Sequence, residues 1–284
     1  MRLDIRYDGT AFSGWAKQPG LRTVQGVLDD ALAKHPPGAA LARAIVVAGR
    51  TDAGVHATGQ VAHIDVEPAE PGDTFSGLTV DSWGVPELDR VCHRWNRFLP
   101  GDIRVTGLTV APKGFDARFS AIRRHYRYRV SDAKWGVDPL RRADTLAWHH
   151  TLDVERMNRA SAALIGLHDF AAFCKQRAGA TTIRELQDLT WRRVSEDVLE
   201  AHVAADAFCH SMVRSLVGAL LLVGDGRRGV EWPGAMLARG ERCSAVAPPH
   251  GLTLTEVEYP DSSELEAQAT RTRRRRTPDD HAVS

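Results

Sequence analysis

The chain has 284 residues, 43% hydrophobic and 26% charged, and is long enough for one large or two modest domains with cores of their own. No apolar run reaches the roughly 20 residues that span a bilayer, and the first residues read as a strand rather than a signal peptide, so we expect a cytoplasmic protein with no membrane partner. The formal net charge of +1 excludes a strongly basic protein, so nucleic-acid binding would require locally clustered arginines and lysines.

The hydrophobic pattern predicts helices and strands in both halves of the chain. Two-residue alternation predicts strands, and apolar residues at helical spacing predict helices, two of which begin after the N-caps Thr23 and Asp153. In chain order the predicted elements are strand 2–7, helix 24–35, strands 44–48 and 61–66, helix 86–98, strands 103–110 and 125–130, helix 154–164, strands 186–194 and 198–204, helix 210–223 and strand 251–258. Because strand, helix and paired strands occur twice, we predict an α+β fold of two pseudo-symmetric units, each with a largely antiparallel sheet flanked by helices.

Three regions follow from this order of elements. We place an N-terminal α+β domain at residues 1–104 and a C-terminal α+β domain at 105–260. Residues 261–284 are polar and rich in arginine, and such segments are typically solvated and flexible, so we expect a disordered tail there. The four cysteines lack the close spacing of zinc or redox motifs, and we expect most of them to be reduced packing residues.

Two loops of the first domain are candidates for binding or chemistry. The loop after the first strand carries Phe12 and Trp15, which would form a binding feature if exposed. The loop between the strands at 44–48 and 61–66 contains Arg50 and Asp52 among three glycines that allow a tight backbone. A carboxylate beside a guanidinium on such a loop is a plausible reactive centre, although an Asp-Ala-Gly turn in which Asp52 only bonds its own backbone is the commoner arrangement.

The segment 118–129 is the second candidate for a functional surface. It mixes five arginines with aromatic residues, namely Arg118, Phe119, Arg123, Arg124, Tyr126, Arg127, Tyr128 and Arg129. Single-stranded RNA stacks its bases on rings and pairs its phosphates with cations, so this composition suits RNA. A solvated edge strand has the same composition, and the residues alone leave both interpretations open.

The segment Gly-Arg-Thr-Asp-Ala-Gly-Val-His at 49–56, followed by Gly59-Gln60-Val61, resembles the active-site signature of the tRNA pseudouridine synthase A family. Further collinear matches extend from about residue 2 to residue 260. They include Tyr7-Asp8-Gly9, Leu99-Pro100, Ala117-Arg118-Phe119-Ser120-Ala121, Tyr126-Arg127-Tyr128, Met212-Val213-Arg214 and His250-Gly251-Leu252. The departures from the family pattern are modest and affect Ala16, Asp116 and Cys209-His210-Ser211.

This resemblance implies a pseudouridine synthase-like fold and an isomerase that converts uridine to pseudouridine in tRNA without metal or organic cofactor. It implies that Asp52 is the essential carboxylate, in covalent or general-base catalysis, and that Arg214 is its charge partner. Tyr126 is expected to stack on or border the uracil. Arg50 is expected to fill the gap left by an extruded base or to hold a phosphate. The same analogy implies a homodimer that modifies tRNA positions 38 to 40 in the anticodon stem-loop.

Two other classes of function compete with this interpretation. In a noncatalytic RNA-binding module, the basic segment would bind RNA and Asp52 would be only a turn residue. In a metal-dependent hydrolase, His56, His63 and Asp65 would be the ligands of the ion.

Overall fold

A computed structural model describes residues 1–34, 45–66, 88–175 and 181–274, together with the backbone of two short strands. The strands are β1 (Arg2–Tyr7), β2 (Val46–Val47), β3 (His56–His63), β4 (Thr74–Phe75), β5 (Leu78–Thr79), β6 (Ile103–Thr109), β7 (Arg123–Ser131), β8 (Leu146–Ala147), β9 (Gly166–Asp169), β10 (Ile183–Ser195), β11 (Val198–Ala205) and β12 (Leu252–Glu258). The helices are α1 (Val24–Lys34), α2 (Leu88–Phe98), α3 (Val154–Ala162), α4 (Met212–Gly224), α5 (Trp232–Arg239) and α6 (Leu265–Arg273). None of the helices in these ranges is long and apolar enough to cross a membrane.

The described residues form two compact units. Unit 1 comprises Met1–Ile122 and Val257–Arg273, and unit 2 comprises Arg123–Glu256 with the residues from Arg274. The division at Ile122 lies beyond the expected boundary at 104, because β6 pairs with β1 and so belongs to unit 1. Each unit has an antiparallel sheet with helices, which confirms the α+β prediction.

The sheet of unit 1 is built around β1. β3 and β6 pair with β1 on its two sides, both antiparallel, and β2 extends the sheet beyond β3. Alternate β1 residues are buried, so this strand contributes one apolar face to the core. Asn96 on α2 bonds both the N–H and the carbonyl oxygen of Val105 on β6, at 3.0 and 2.7 Å, which fixes this helix to the sheet.

In unit 2 the strands run in the order β12, β7, β11, β10 and β9, with β8 beside β7. Asn158 on α3 bonds the backbone of Trp191 on β10 in both directions, at 2.8 and 3.0 Å, and so attaches that helix to the sheet. The apolar helix α4 is almost fully buried. The Asp153 carboxylate caps α3 as predicted, and it accepts the N–H of Arg156 at 3.0 Å.

Part of the segment expected to be a disordered tail is helical instead. Leu265 and Ala269 on α6 are buried, and the hydroxyl of Ser120 donates to the Leu265 carbonyl at 3.1 Å. Arg273 at the end of this helix pairs with Asp116 at 2.9 Å. The two apolar residues lie four positions apart on one helical face, which gives the otherwise polar segment a surface to bury. Residues 275–284 of the expected tail, and residues 67–87 apart from the backbone of β4 and β5, lie outside the described residues.

The expectation of mostly reduced cysteines is also corrected. Cys174 and Cys209 form a disulfide, with their Cα atoms 5.7 Å apart, whereas Cys92 and Cys243 are free. The two bonded residues are 35 positions apart in sequence, so their spacing resembles no redox motif. They meet because the residues after β9 lie against the loop that precedes α4.

Candidate active site

Asp52 lies on the loop between β2 and β3, and the loop is anchored through its neighbour Thr51. Thr51 is buried, whereas Asp52 is half-buried and Arg50 is exposed. The Thr51 hydroxyl and the Tyr7 hydroxyl share a hydrogen bond of 2.8 Å. Gln60, which is fully buried, donates from Nε2 to the Tyr7 hydroxyl at 3.2 Å and to the Gly49 carbonyl at 2.9 Å. These buried hydrogen bonds therefore fix the loop at Gly49 and Thr51, whereas Asp52 itself stays half-buried.

Burial keeps the Tyr7 hydroxyl protonated. It raises the pKa of Tyr7 to about 12, and hydrogen bonds with Thr51 and Gln60 oppose the shift only in part. The hydroxyl is therefore protonated throughout the physiological range. It can serve as both donor and acceptor in the anchoring network.

The loop that follows β1 packs directly on the Asp52 loop. The backbone N–H of Trp15 donates to the Thr51 carbonyl at 3.1 Å, and the backbone N–H of Gly54 donates to the Phe12 carbonyl at 3.2 Å. Gly14 has a φ of +89°, and a Cβ there would lie 3.0 Å from the Thr51 carbonyl oxygen, so only glycine suits this approach. The rings of Phe12 and Trp15 are buried, so the condition for an aromatic binding feature on this loop, that the rings be exposed, is not met. Their burial stabilises the loop that supports Asp52.

His56 also joins the loop after β1 to the Asp52 loop. Its Nδ1 atom accepts the N–H of Gly9 at 2.9 Å and lies 3.1 Å from a carboxylate oxygen of Asp8. Partial burial acts to raise the pKa of Asp8, but hydrogen bonds from Thr10 and the nearby imidazole outweigh it, so the pKa lies below its usual value. The Asp8 side chain is therefore a carboxylate at neutral pH. Both groups stabilise the loops next to Asp52.

The geometry excludes the proposed metal site. His56 and His63 stand at opposite ends of β3, and a strand of this length separates them by about 23 Å at 3.3 Å per residue. The Nδ1 atom of His63 accepts the backbone N–H of Ala117 at 2.9 Å. The two imidazoles cannot bind one ion, so the metal hypothesis is wrong for this set of ligands.

In unit 2, Tyr126 lies on β7 beneath Phe208. Only 7% of Tyr126 is exposed, and the Phe208 ring meets it edge to face, with centroids 5.1 Å apart and an interplanar angle of 89°. Phe208 belongs to the loop that joins β11 to α4. Tyr126 is therefore closed to a base in this conformation, and Phe208 is one of the residues that cover it.

Arg214 lies in the first turn of α4 and is half-buried in an otherwise apolar helix. Its Nε donates to the Ala247 carbonyl at 2.8 Å, and the Ala247 N–H donates to the Arg214 carbonyl at 2.9 Å. The Nε bond orients the guanidinium, and the backbone bond ties α4 to Ala247. Burial raises the pKa of Tyr128, and the positive charge of Arg214 opposes that shift, which indicates that the guanidinium acts on nearby groups.

The arginine-rich strand differs from both interpretations offered by the sequence. β7 lies between β12 and β11, so it is not an edge strand. Arg127 and Arg129 both pair with Glu200, and Tyr126 and Tyr128 are buried rather than exposed for stacking. Ion pairing of Arg127 and Arg129 across the sheet and burial of both rings show that β7 presents no open stacking surface in this conformation.

The candidate site residues thus divide between the two units. Arg50 and Asp52 lie on one loop of unit 1, whereas Tyr126 and Arg214 lie in unit 2. The pairing of Asp52 with Arg214 stays a prediction. The sequence analysis gave no site role to Tyr7, Gln60 or Phe208, although a glutamine at a buried position of a strand is a signal that could have identified Gln60.

Comparisons with known proteins show which family the chain belongs to. Residues 160–260 match a family model described as tRNA pseudouridine synthase. The chain is 54% identical over 280 residues to tRNA pseudouridine synthase A of Frankia casuarinae, a match that covers 98% of this chain and 96% of that protein. The chain belongs to the tRNA pseudouridine synthase A family. Other tRNA pseudouridine synthase A proteins, from Streptomyces avermitilis and Mycobacterium leprae, are 53% and 52% identical, and each match covers at least 96% of this chain and 94% of the relative.

Proposed function

We propose that this member of the tRNA pseudouridine synthase A family converts uridine to pseudouridine in tRNA and that Asp52 is its essential carboxylate. The observation that carries the proposal is the setting of Asp52. It lies half-buried beside the buried Thr51, on a loop clamped by Tyr7, Trp15 and Gln60. A carboxylate held in this way is preorganised but still within reach of a substrate. The nearly full-length similarity to proteins of this name supports the reaction.

The reaction is an isomerisation, so its atoms and electrons balance without a redox partner. The bond between N1 of uracil and C1′ of the ribose breaks, the base turns, and C5 forms a new bond to C1′. The proton on C5 leaves, and N1 gains one. Asp52 acts either as the nucleophile that holds a covalent intermediate or as the base that removes a proton, and both roles need the ionised form.

Three further residues act on the substrate or on Asp52 in this proposal. Arg214 holds a positive charge near the Asp52 carboxylate and so stabilises its ionised form, a role suited to a guanidinium whose plane is oriented by Ala247. Tyr126 borders the uracil once Phe208 has moved. Arg50 is exposed beside Asp52, where it can bind a phosphate or fill the space left by the extruded base.

The finer assignments rest on the family resemblance alone. They are the target uridines at tRNA positions 38 to 40, a homodimeric working form, a cytoplasmic location and the absence of any metal or organic cofactor from the mechanism. Each can be tested separately. Replacing one target uridine at a time with cytidine identifies the sites, sedimentation measures the number of subunits, and undiminished product formation in the presence of a chelator would support the metal-free mechanism.

The function is tested by measuring pseudouridine in an unmodified tRNA transcript. Wild type and Asp29→Asn, a change on the surface of α1, are expected to form product at similar rates. Asp52→Asn is expected to bind the transcript but form no product, because the amide can neither attack carbon nor accept a proton. Equal product from Asp52→Asn and wild type would instead support a noncatalytic RNA-binding module whose preparation carries another enzyme.

A further inference from the structure

The disulfide between Cys174 and Cys209 has no role in the function described so far. Cys174 follows a short 3₁₀ turn at Phe170–Phe173 and is buried, whereas Cys209 is half-buried in the loop that joins β11 to α4. Their Cα separation of 5.7 Å lies in the range usual for disulfides. Cys209 is therefore the more accessible of the two cysteines.

The bonded loop carries two groups that the proposed function uses. Phe208, which covers Tyr126, is the residue immediately before Cys209, and Arg214 follows five positions later. Between them Ser211 has a φ of +64°, a left-handed conformation that non-glycine residues rarely adopt. Apart from the disulfide, a hydrogen bond of 2.9 Å from the Lys175 N–H to the His210 carbonyl ties this loop to the residue after Cys174.

We propose that Cys174 and Cys209 form a thiol–disulfide modification site that reacts with low-molecular-weight disulfides, and that the bond slows uridine isomerisation by holding Phe208 over Tyr126. The second half of this proposal rests on the proposed function, because it uses Tyr126 as the residue that meets the uracil. Phe208 is one of the residues that cover Tyr126, and its movement would help to open that ring to a base. A covalent bond one residue away restricts that movement far more than a single hydrogen bond does.

The chemistry is a balanced thiol–disulfide exchange. The Cys209 thiolate attacks one sulfur of the small disulfide, forms a mixed disulfide and releases a small thiolate. The Cys174 thiolate then attacks the Cys209 sulfur and releases the second small thiolate. The protein dithiol is oxidised, the small disulfide is reduced to two thiols, and the two cysteine protons end on those thiols or in solvent.

The two free cysteines are poorly suited to the same exchange. Cys243 is buried, and burial raises the pKa of its thiol. Burial and the nearby Asp89 raise the pKa of Cys92 in the same way. Because the thiolate is the attacking species, both residues react slowly at neutral pH. Cys92→Ser keeps a donor for the hydrogen bond to the Val105 carbonyl and is therefore a matched control.

The test uses full-length protein that has been reduced and then treated with glutathione disulfide. Mass spectrometry of peptides is expected to find a bond between Cys174 and Cys209 in wild type and in Cys92→Ser. In Cys174→Ser the reaction should stop at a mixed disulfide on Cys209, which would identify Cys209 as the thiol that attacks first. The rate of pseudouridine formation with enzyme in excess is expected to fall about tenfold on oxidation and to recover with dithiothreitol, while tRNA binding is unchanged. Cys209→Ser should keep its rate in the presence of the oxidant.

Three results would overturn the proposal: no bond between the two cysteines, an unchanged rate in fully oxidised wild type, or an equal slowing of Cys209→Ser by the oxidant. If reduced wild type forms no pseudouridine at all, the proposed function fails. Hydrogen exchange then still tests whether the disulfide restrains the loop that carries Phe208. The amides of residues 206–212 are expected to exchange more slowly in oxidised than in reduced protein. Equal exchange would show that the bond does not restrain the loop.

Discussion

The hydroxyl groups of Tyr7 and Thr51 lie 2.8 Å apart in the core of unit 1, although 44 positions separate the two residues in sequence. The bond joins β1 to the residue immediately before Asp52. The position of the proposed catalytic carboxylate therefore depends on a buried polar contact that takes no part in the chemistry.

Tyr7→Phe tests this dependence. The change removes the hydroxyl and leaves the Thr51 hydroxyl and the Gln60 amide without their shared partner, so stability should fall by about 1 to 2 kcal/mol. If the contact positions Asp52, kcat should fall about tenfold while KM for tRNA changes little. Tyr259→Phe is the matched control, since that hydroxyl donates to the Ala117 carbonyl at 2.7 Å within the same unit. An equal loss of kcat in both variants would show a general effect on folding.

Gly14→Ala tests the packing of the loop after β1 on the Asp52 loop. Alanine would be strained at a φ of +89°, and its Cβ would lie 3.0 Å from the Thr51 carbonyl oxygen. Gly20→Ala introduces the backbone strain alone, because Gly20 has a φ of +72° and its added Cβ would meet no described atom within 4 Å. Each change should cost about 1 kcal/mol or more in the free energy of unfolding. Only Gly14→Ala should also reduce kcat, and equal kcat values would contradict the role assigned to this contact.

Substitutions of Arg214 test its role as the charge partner of Asp52. Arg214→Lys keeps the charge but loses the Nε bond to Ala247, whereas Arg214→Met loses both. With enzyme in excess, we expect the rate to fall about 10-fold in Arg214→Lys and about 10³-fold in Arg214→Met, relative to wild type. Arg239→Met on the exposed end of α5 should leave the rate unchanged. Equal rates for the lysine and methionine variants would show that the charge is not what matters.

His63 should make the stability of the protein depend on pH. Burial lowers its pKa below the ordinary 6.5, and nearby Asp116 and Asp65 oppose this shift only in part. The unfolded chain therefore binds this proton more readily than the folded one. The contribution of neutral His63 is complete above pH 6.5 and is lost as the pH falls through its lower folded pKa.

His63→Asn removes the titrating group but keeps an oxygen that can accept the Ala117 N–H. Urea unfolding near neutral pH and at about pH 5 should show that wild type loses more stability than the variant over this interval. The same pH dependence in both proteins would mean that other groups cause it.

Local patterns predicted most of the regular elements, because hydrophobic periodicity is a property of neighbouring residues. Strand 2–7 has the predicted bounds, and the hydroxyl of Thr23 bonds the Gly26 N–H at 3.2 Å, as expected of an N-cap. The short strands β8 and β9 and the helix α5 were not predicted. The two residues of β8 are too few for a periodic signal.

The failures concern long-range contacts. The burial of Trp15 depends on Thr51, and the bond of Cys209 depends on Cys174, so neither could be read from adjacent residues. The arginines of β7 looked like an RNA-binding strand because Glu200, which neutralises two of them, lies about 70 positions later in the chain. The signature at 49–56 drew attention to the Asp52 loop, whose catalytic role stays a prediction, but the buried anchor beneath the loop became visible only in three dimensions.

The most direct test of the account is the amount of pseudouridine formed in one turnover by Asp52→Asn, with enzyme in large excess over a tRNA transcript. Saturating enzyme removes any difference in tRNA affinity, so the measurement reports only the steps that follow binding. If Asp52 supplies the reactive carboxylate, the rate should fall by about 10⁴-fold while the RNA stays bound. Product formation at the wild-type rate by a variant shown by mass spectrometry to contain asparagine would contradict the account.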